Sequence, residues 1–104
     1  VNGTGVGGNG AVINSSAAHT AATWAGTIIS STTNPTVNAS SGDIYFTNTT
    51  ANTFNNTWTL DGSYNGSIAC PMNLSGQGII KNGTGTWTLS GNSTYTGATV
   101  INNG

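Results

Sequence analysis

Apolar and polar residues alternate along the chain in short runs enriched in β-branched and aromatic side chains. Such runs predict strands at Ala11–Asn14, Thr23–Ser30, Asp43–Thr47, Thr57–Leu60, Ile79–Lys81, Thr86–Ser90 and Ala98–Ile101. In Thr57-Trp58-Thr59-Leu60 the alternation sends Trp and Leu to one face and both Thr to the other, and Thr86-Trp87-Thr88-Leu89 repeats the pattern. Between the runs lie Asn2-Gly3, Asn9-Gly10, Asn65-Gly66, Asn82-Gly83 and Asn103-Gly104, pairs that favour turns because Gly and Asn tolerate positive φ. Good helix formers are scarce, which excludes a helical fold.

The two Trp strands echo each other, Thr57 recurring as Thr86 and Leu60 as Leu89. A repeat of roughly 20 to 30 residues with one short strand, a Gly turn and an aromatic is what one coil of a solenoid would show. The expected fold is therefore all-β, a parallel β-helix or β-solenoid, with residues 1–104 forming one module of about four or five rungs. Asn-Gly pairs also suit two-residue hairpins, so the alternative is an antiparallel β-sandwich of pilin type. Parallel stacking of Thr57–Leu60 and Thr86–Leu89 on one face is the expectation that separates the two. Thr and Asn at successive rungs would then pair along the axis.

Composition narrows the function classes. Asp43, Asp61 and Lys81 are the only charged side chains, and the formal net charge is -1. One Lys cannot build a phosphate-binding patch or a polybasic membrane segment, so nucleic acid and anionic lipid are excluded as partners. No apolar run approaches the length of a membrane-spanning helix. Thr, Asn, Gly and Ser supply 61 of the 104 residues, so neutral hydrogen-bonding groups replace charge. The chain opens at Val1 with no basic and apolar leader pattern, so any secretion signal is expected upstream or already removed. Lone Cys70 has no internal disulfide partner and reads as a small buried apolar residue.

Little in the sequence marks chemistry, and no enzyme is expected. Asp43 and Asp61 read as turn residues rather than an acid/base pair, and His19 as a loop residue, with no elbow motif to activate a serine. One His, one Cys and two separated Asp make no metal site, and no cofactor is expected. Lys81 reads as an edge charge that discourages mispairing, in preference to a partner in a Lys-to-Asn isopeptide bond. A binding surface for carbohydrate would draw on Trp24, Trp58, Trp87 or Tyr95, provided these project outward. Asn-x-Ser/Thr acceptors occur at Asn2, Asn14, Asn38, Asn48, Asn55, Asn65, Asn73, Asn82 and Asn92, and mark candidate glycosylation sites.

Residues 72–104 carry a more specific pattern. Lys81 precedes a small-residue turn, a Gly-Thr strand runs into Leu89-Ser90-Gly91, and Tyr95-Thr96-Gly97 leads into a strand at Thr99-Val100. This resembles the autotransporter-associated β-strand repeat. The resemblance implies a right-handed parallel β-helix in a secreted or surface-displayed bacterial passenger of structural or adhesive role. Trp87 departs from the smaller aliphatic residue usual at its position.

These observations together predict an extracellular structural or adhesive module at the cell surface. Its partners are expected to be copies of itself or adjacent repeats stacked end to end, or surface glycans. The alternative is a carbohydrate- or ice-binding β module.

Overall fold

The computed structural model describes residues 1–30 and 32–104, with the side chains of residues 52 and 53 outside that description. A 3-10 turn (Val6–Gly8) precedes eleven short strands: β1 (Val12–Ile13), β2 (Ala22–Trp24), β3 (Thr36–Ala39), β4 (Ile44–Phe46), β5 (Asn52–Thr53), β6 (Trp58–Gly62), β7 (Gly66–Ile68), β8 (Met72–Asn73), β9 (Ile79–Lys81), β10 (Trp87–Leu89) and β11 (Thr99–Ile101). They form three parallel sheets, ordered β1-β3-β6-β9-β11, β2-β4-β7-β10 and β5-β8. We call these sheets A, B and C. The chain alternates between A and B and adds a strand of C in the two middle coils, so each strand's sheet neighbour lies one coil away. That arrangement is a β-solenoid of about four turns, and the antiparallel sandwich is thereby excluded.

One row of sheet A runs Val12, Val37, Leu60, Lys81, Ile101, and each coil along it is shorter than the one before. In sheet B the row Thr23, Tyr45, Ser67, Thr88 is spaced more evenly. The period is thus roughly 20 to 25 residues, an ordinary solenoid coil and shorter than the step from Thr57 to Thr86. The two Trp strands that echo each other lie on different sheets, β6 in A and β10 in B, so the expected stacking of Thr57–Leu60 on Thr86–Leu89 does not occur, and the solenoid rests instead on the parallel pairing of β3, β6 and β9. Their spacing is one coil from Trp58 to Ile79, plus the further stretch of chain to Trp87 on the next face. The echo records a shared inward and outward alternation, not a shared position in the coil.

Alternation in each strand drives one side chain in two inward, which fills the bore. Val37, Leu60, Trp58 and Ile79 from sheet A meet Ile44, Phe46 and Ile68 from sheet B and Phe54, Met72 and Leu74 from the third side, all buried. Cys70 belongs to the same core. Trp58 is fully enclosed and packs edge-on to Phe54 with ring centroids 4.8 Å apart. Its indole N–H has no hydrogen-bond partner among the described residues.

Coils close in this way only where the corners are thin. A Cβ on Gly62, Gly83, Gly85, Gly91 or Gly97 would lie 1.8 to 2.4 Å from backbone atoms of the preceding rung. Such contacts fall well inside ordinary van der Waals distance, so these corners accept no side chain. Gly66 plays a different part from the turn expected of Asn65-Gly66. It lies within β7, and a Cβ there would meet the Trp87 ring at 2.5 Å.

Polar side chains tie the rungs along the axis. The Asp43 carboxylate accepts the Asn65 N–H at 2.9 Å, and the Asn65 side-chain oxygen accepts the Thr86 N–H at 3.0 Å. Asn34 receives the Thr57 N–H at 3.2 Å in the same manner. Asn102 donates to Asn82 at 2.8 Å. These amides satisfy backbone or side-chain groups one coil away, where like charges in register would repel, while others such as Asn9 and Asn103 bond within their own turn.

Candidate functional site

The residues singled out for chemistry are scattered over the solenoid. Asp43 precedes β4 of sheet B, whereas Asp61 lies in β6 of sheet A and accepts the Gly62 N–H at 2.8 Å. Asp43 also accepts from the Tyr45 hydroxyl at 2.6 Å. That bond and the one from the Asn65 N–H hold its carboxyl below the usual range, while the same contact with Asp43 raises the Tyr45 phenol. His19 sits in a loop at positive φ, its Nδ1 2.7 Å from the Ser41 carbonyl oxygen, and stacks on Tyr64 with centroids 5.0 Å apart. Among the described residues no three His, Cys, Asp or Glu side chains gather as a metal site, and no helix is long and apolar enough to cross a membrane.

Lys81 is not the exposed edge charge its sequence context suggests. The alternation of β9 turns it into the core row between Leu60 and Ile101, and it is buried. Its four-carbon stem lies among apolar side chains, and its ammonium reaches the corner to donate to the carbonyls of Gly83 and Asn103.

Of the four aromatic residues proposed as a binding surface, Trp58 is enclosed in the core and offers no face to a ligand. Trp87 turns inward over Gly66, and its indole N–H donates to the Asp61 carbonyl at 3.3 Å. Tyr95 is half-buried against the core, its hydroxyl 2.8 Å from that of Thr99. Trp24 alone is substantially exposed, at 47 %. It is exposed because β2 is the edge of sheet B, not because it points outward: it shares its row with Phe46.

The asparagine acceptors also divide. Asn14 is buried, with its amide donating to the carbonyls of Thr20 and Asp43, so glycan attachment there is incompatible with the fold. Asn2, Asn55, Asn65 and Asn92 are exposed, and Asn38, Asn48, Asn73 and Asn82 are half-buried. The outward row Thr36, Thr59, Ile80, Val100 on sheet A changes from hydroxyl to aliphatic halfway, so it is not a continuous Thr array.

What the geometry does bring together is apolar surface at the two ends. At the N-terminal end, Val12, Ile13 and Trp24 rim a small hollow above Ile44 and Phe46. At the C-terminal end a cavity of about 210 Å³ opens between Trp87 and Leu89 on one side and Ile79, Lys81 and Ile101 on the other. The aromatic surface was expected only if those side chains projected outward, and Trp58 and Trp87 do not. Which apolar residues line each end depends on rung count, which no single motif reveals.

Stacked rungs tied by neutral hydrogen-bonding side chains define the class, a β-solenoid module. Within it, residues 79–104 match the family model described as the passenger-associated-transport-repeat, and this segment is an autotransporter-associated β repeat. No curated protein and no solved structure matches the chain. The matched segment is one coil, from β9 through β10 to β11. Lys81 is its inward lysine, and Gly83, Gly85, Gly91 and Gly97 are its thin corners. The repeat and the solenoid fit a passenger-type surface protein module.

Proposed function

We propose that this chain is a non-catalytic, extracellular structural or adhesive segment of a bacterial surface protein, and that it continues end to end with adjacent repeats or copies of itself. The observation that supports this reading is the uninterrupted five-strand parallel ladder of sheet A, within which residues 79–104 match a passenger repeat. Open parallel edges present unpaired backbone donors and acceptors beside apolar rows, and burying both is the strongest association this nearly uncharged surface can offer. A structural role also accounts for a composition in which neutral amides and hydroxyls tie rungs together and few groups are able to transfer protons. Sedimentation of the purified chain across a wide concentration range, with negative-stain imaging, tests the assembly. Rods that lengthen with concentration are expected; a monodisperse monomer at the highest concentration would refute self-association. Protease accessibility on intact cells expressing the native protein tests surface display.

A further inference from the structure

The outward face of sheet B carries an aromatic residue that the candidates above do not include. In β4 both Ile44 and Phe46 are buried, so Tyr45 between them faces solvent and is half-buried. Its row across the sheet runs Thr23, Tyr45, Ser67, Thr88, one ring among short hydroxyl side chains. Residues on one face of a strand recur about 6.7 Å apart, so an upright Tyr45 ring would leave its hydroxyl out of reach of the short Asp43 side chain. That hydroxyl nevertheless donates to Asp43 Oδ2 at 2.6 Å. The ring therefore lies along β4, one face against the sheet and the other turned to solvent, and neither Thr23 nor Ser67 beside it is long enough to cover it.

The polar groups around the ring hold it in place and still have capacity to spare. Asp43 Oδ1 accepts the Asn65 N–H at 2.9 Å, so each carboxylate oxygen carries one bond, while an ionised carboxylate offers about four acceptor positions in all. The hydroxyls of Thr23, Ser67 and Thr88 make no hydrogen bond among the described residues. Elsewhere the Ser30, Thr57 and Thr94 hydroxyls are each bonded to a neighbouring coil. The flank of sheet B thus combines an exposed, tethered ring face with free hydroxyl donors and a carboxylate acceptor. A pyranose has the matching chemistry, with C–H groups on its flat face for the electron-rich ring and hydroxyls at its rim that both donate and accept. A cationic side chain would use the ring and the carboxylate and leave the hydroxyl donors unmatched. An anionic sugar would meet the Asp43 charge.

We infer that the outward face of sheet B is a binding site for a neutral pyranose glycan, with Tyr45 as the stacking platform, Asp43 accepting from sugar hydroxyls, and Thr23 and Ser67 bonding to the rim. The tether from Asp43 fixes the ring before the sugar arrives, so little side-chain freedom is lost on binding. The site lies on the flank of the rod and is independent of whether the solenoid continues end to end.

The test titrates cellohexaose, mannohexaose and maltohexaose into the isotope-labelled chain and follows backbone amide shifts by NMR, with hexagalacturonate and hexalysine as charged counterparts. Saturable shifts centred on Tyr45 and Ser67 are expected with at least one neutral hexasaccharide, at a Kd on the order of 1 mM, and weaker binding with hexagalacturonate. Tyr45→Ala should weaken binding about tenfold or more, and so should Tyr45→Leu, which restores bulk without a flat face. Tyr45→Phe keeps the ring but loses the tether, and should cost about threefold. Thr59→Ala, on the outward face of sheet A, should leave binding unchanged. A cooperative urea transition shows that each variant is folded. Binding that survives both Tyr45→Ala and Tyr45→Leu, shifts centred away from β4 and β7, or no saturable shift with any neutral hexasaccharide would overturn the inference. Tighter binding of hexalysine or of hexagalacturonate than of every neutral sugar would overturn it as well, since charge would then be selecting the ligand.

Discussion

Replacing Gly85 by alanine sets two physical effects of opposite sign against each other. Gly85 has no left-handed backbone angle, so an alanine there carries no torsional penalty. If only chain entropy mattered, Gly85→Ala would stabilise the protein by about 0.4–1 kcal/mol, because the unfolded chain loses freedom. The added Cβ, however, would stand 1.8 Å from the Tyr64 carbonyl oxygen, where ordinary contact begins near 3.4 Å. That is little more than half the distance required, and the obstacle is backbone of the rung below. Separating two rungs far enough to clear it breaks local ladder bonds as well as packing, so the cost belongs at or above the upper end of the ~1–3 kcal/mol typical of overpacking. Urea unfolding followed by tryptophan emission should show a midpoint lower by about 1 M or more at unchanged slope. Gly26→Ala is the control, since its nearest neighbour is the exposed Trp24 side chain at 3.2 Å, and its change should stay within about 0.5 kcal/mol. A Gly85→Ala protein as stable as the parent would refute the claim that thin corners hold the coils together.

Trp58→Ala should cost about 3–5 kcal/mol in the same assay, as expected for an enclosed aromatic. Trp58→Phe should cost markedly less, because it also removes an indole N–H that has no partner among the described residues; a loss equal to that of alanine would contradict this. The Tyr45 hydroxyl and then the Asn65 N–H depress the Asp43 carboxyl, so its contribution to stability is complete above the ordinary value near ~3.9 and is lost as pH falls through its lower folded value. Acid titrations of stability should therefore be shallower in Asp43→Asn. Tyr45 is raised by the same contact, so its contribution holds below about 10 and is lost as pH rises through the folded value; Tyr45→Phe should flatten that alkaline limb. Lys81→Met keeps an apolar stem in the core row but abandons the Gly83 and Asn103 carbonyls, and should lower stability by about 1–2 kcal/mol. A gain in unfolding midpoint would show that the ammonium costs more to bury than its bonds return.

Strands whose alternation is strong were legible in the sequence: β1, β4, β6, β9, β10 and β11 all lie within or overlap the predicted runs. β2 ends at Trp24, well before the predicted limit at Ser30, since Ile28 and Ser30 turn inward on the third side instead of extending sheet B. β3 begins just after Asn34-Pro35, and β7 begins with the glycine of an Asn-Gly pair, so local turn chemistry concealed both. At Gly66 the requirement was set by Trp87, one coil later, and no local rule contains that information. β5 and β8, with two residues each, are too short to show a period. Lys81 was misplaced for a related reason. A lysine beside a turn ordinarily faces solvent, but here the strand's register forces its stem inward. Alternation put Trp58 and Trp87 on the same face as Leu60 and Leu89, whereas the exposure of Trp24 depends on how many rungs lie beside it.

The bonds from Asn34, Asp43 and Asn65 share a direction: in each, the oxygen belongs to the earlier rung and the N–H to the later one. Other rung-to-rung bonds run the opposite way, with the Ser30 hydroxyl donating to Asn56, the Thr57 hydroxyl to Gln77 and the Met72 N–H to Ser93. Each rung therefore carries both donors and acceptors for its neighbours, and a single substitution at one of these positions unsettles two coils at once.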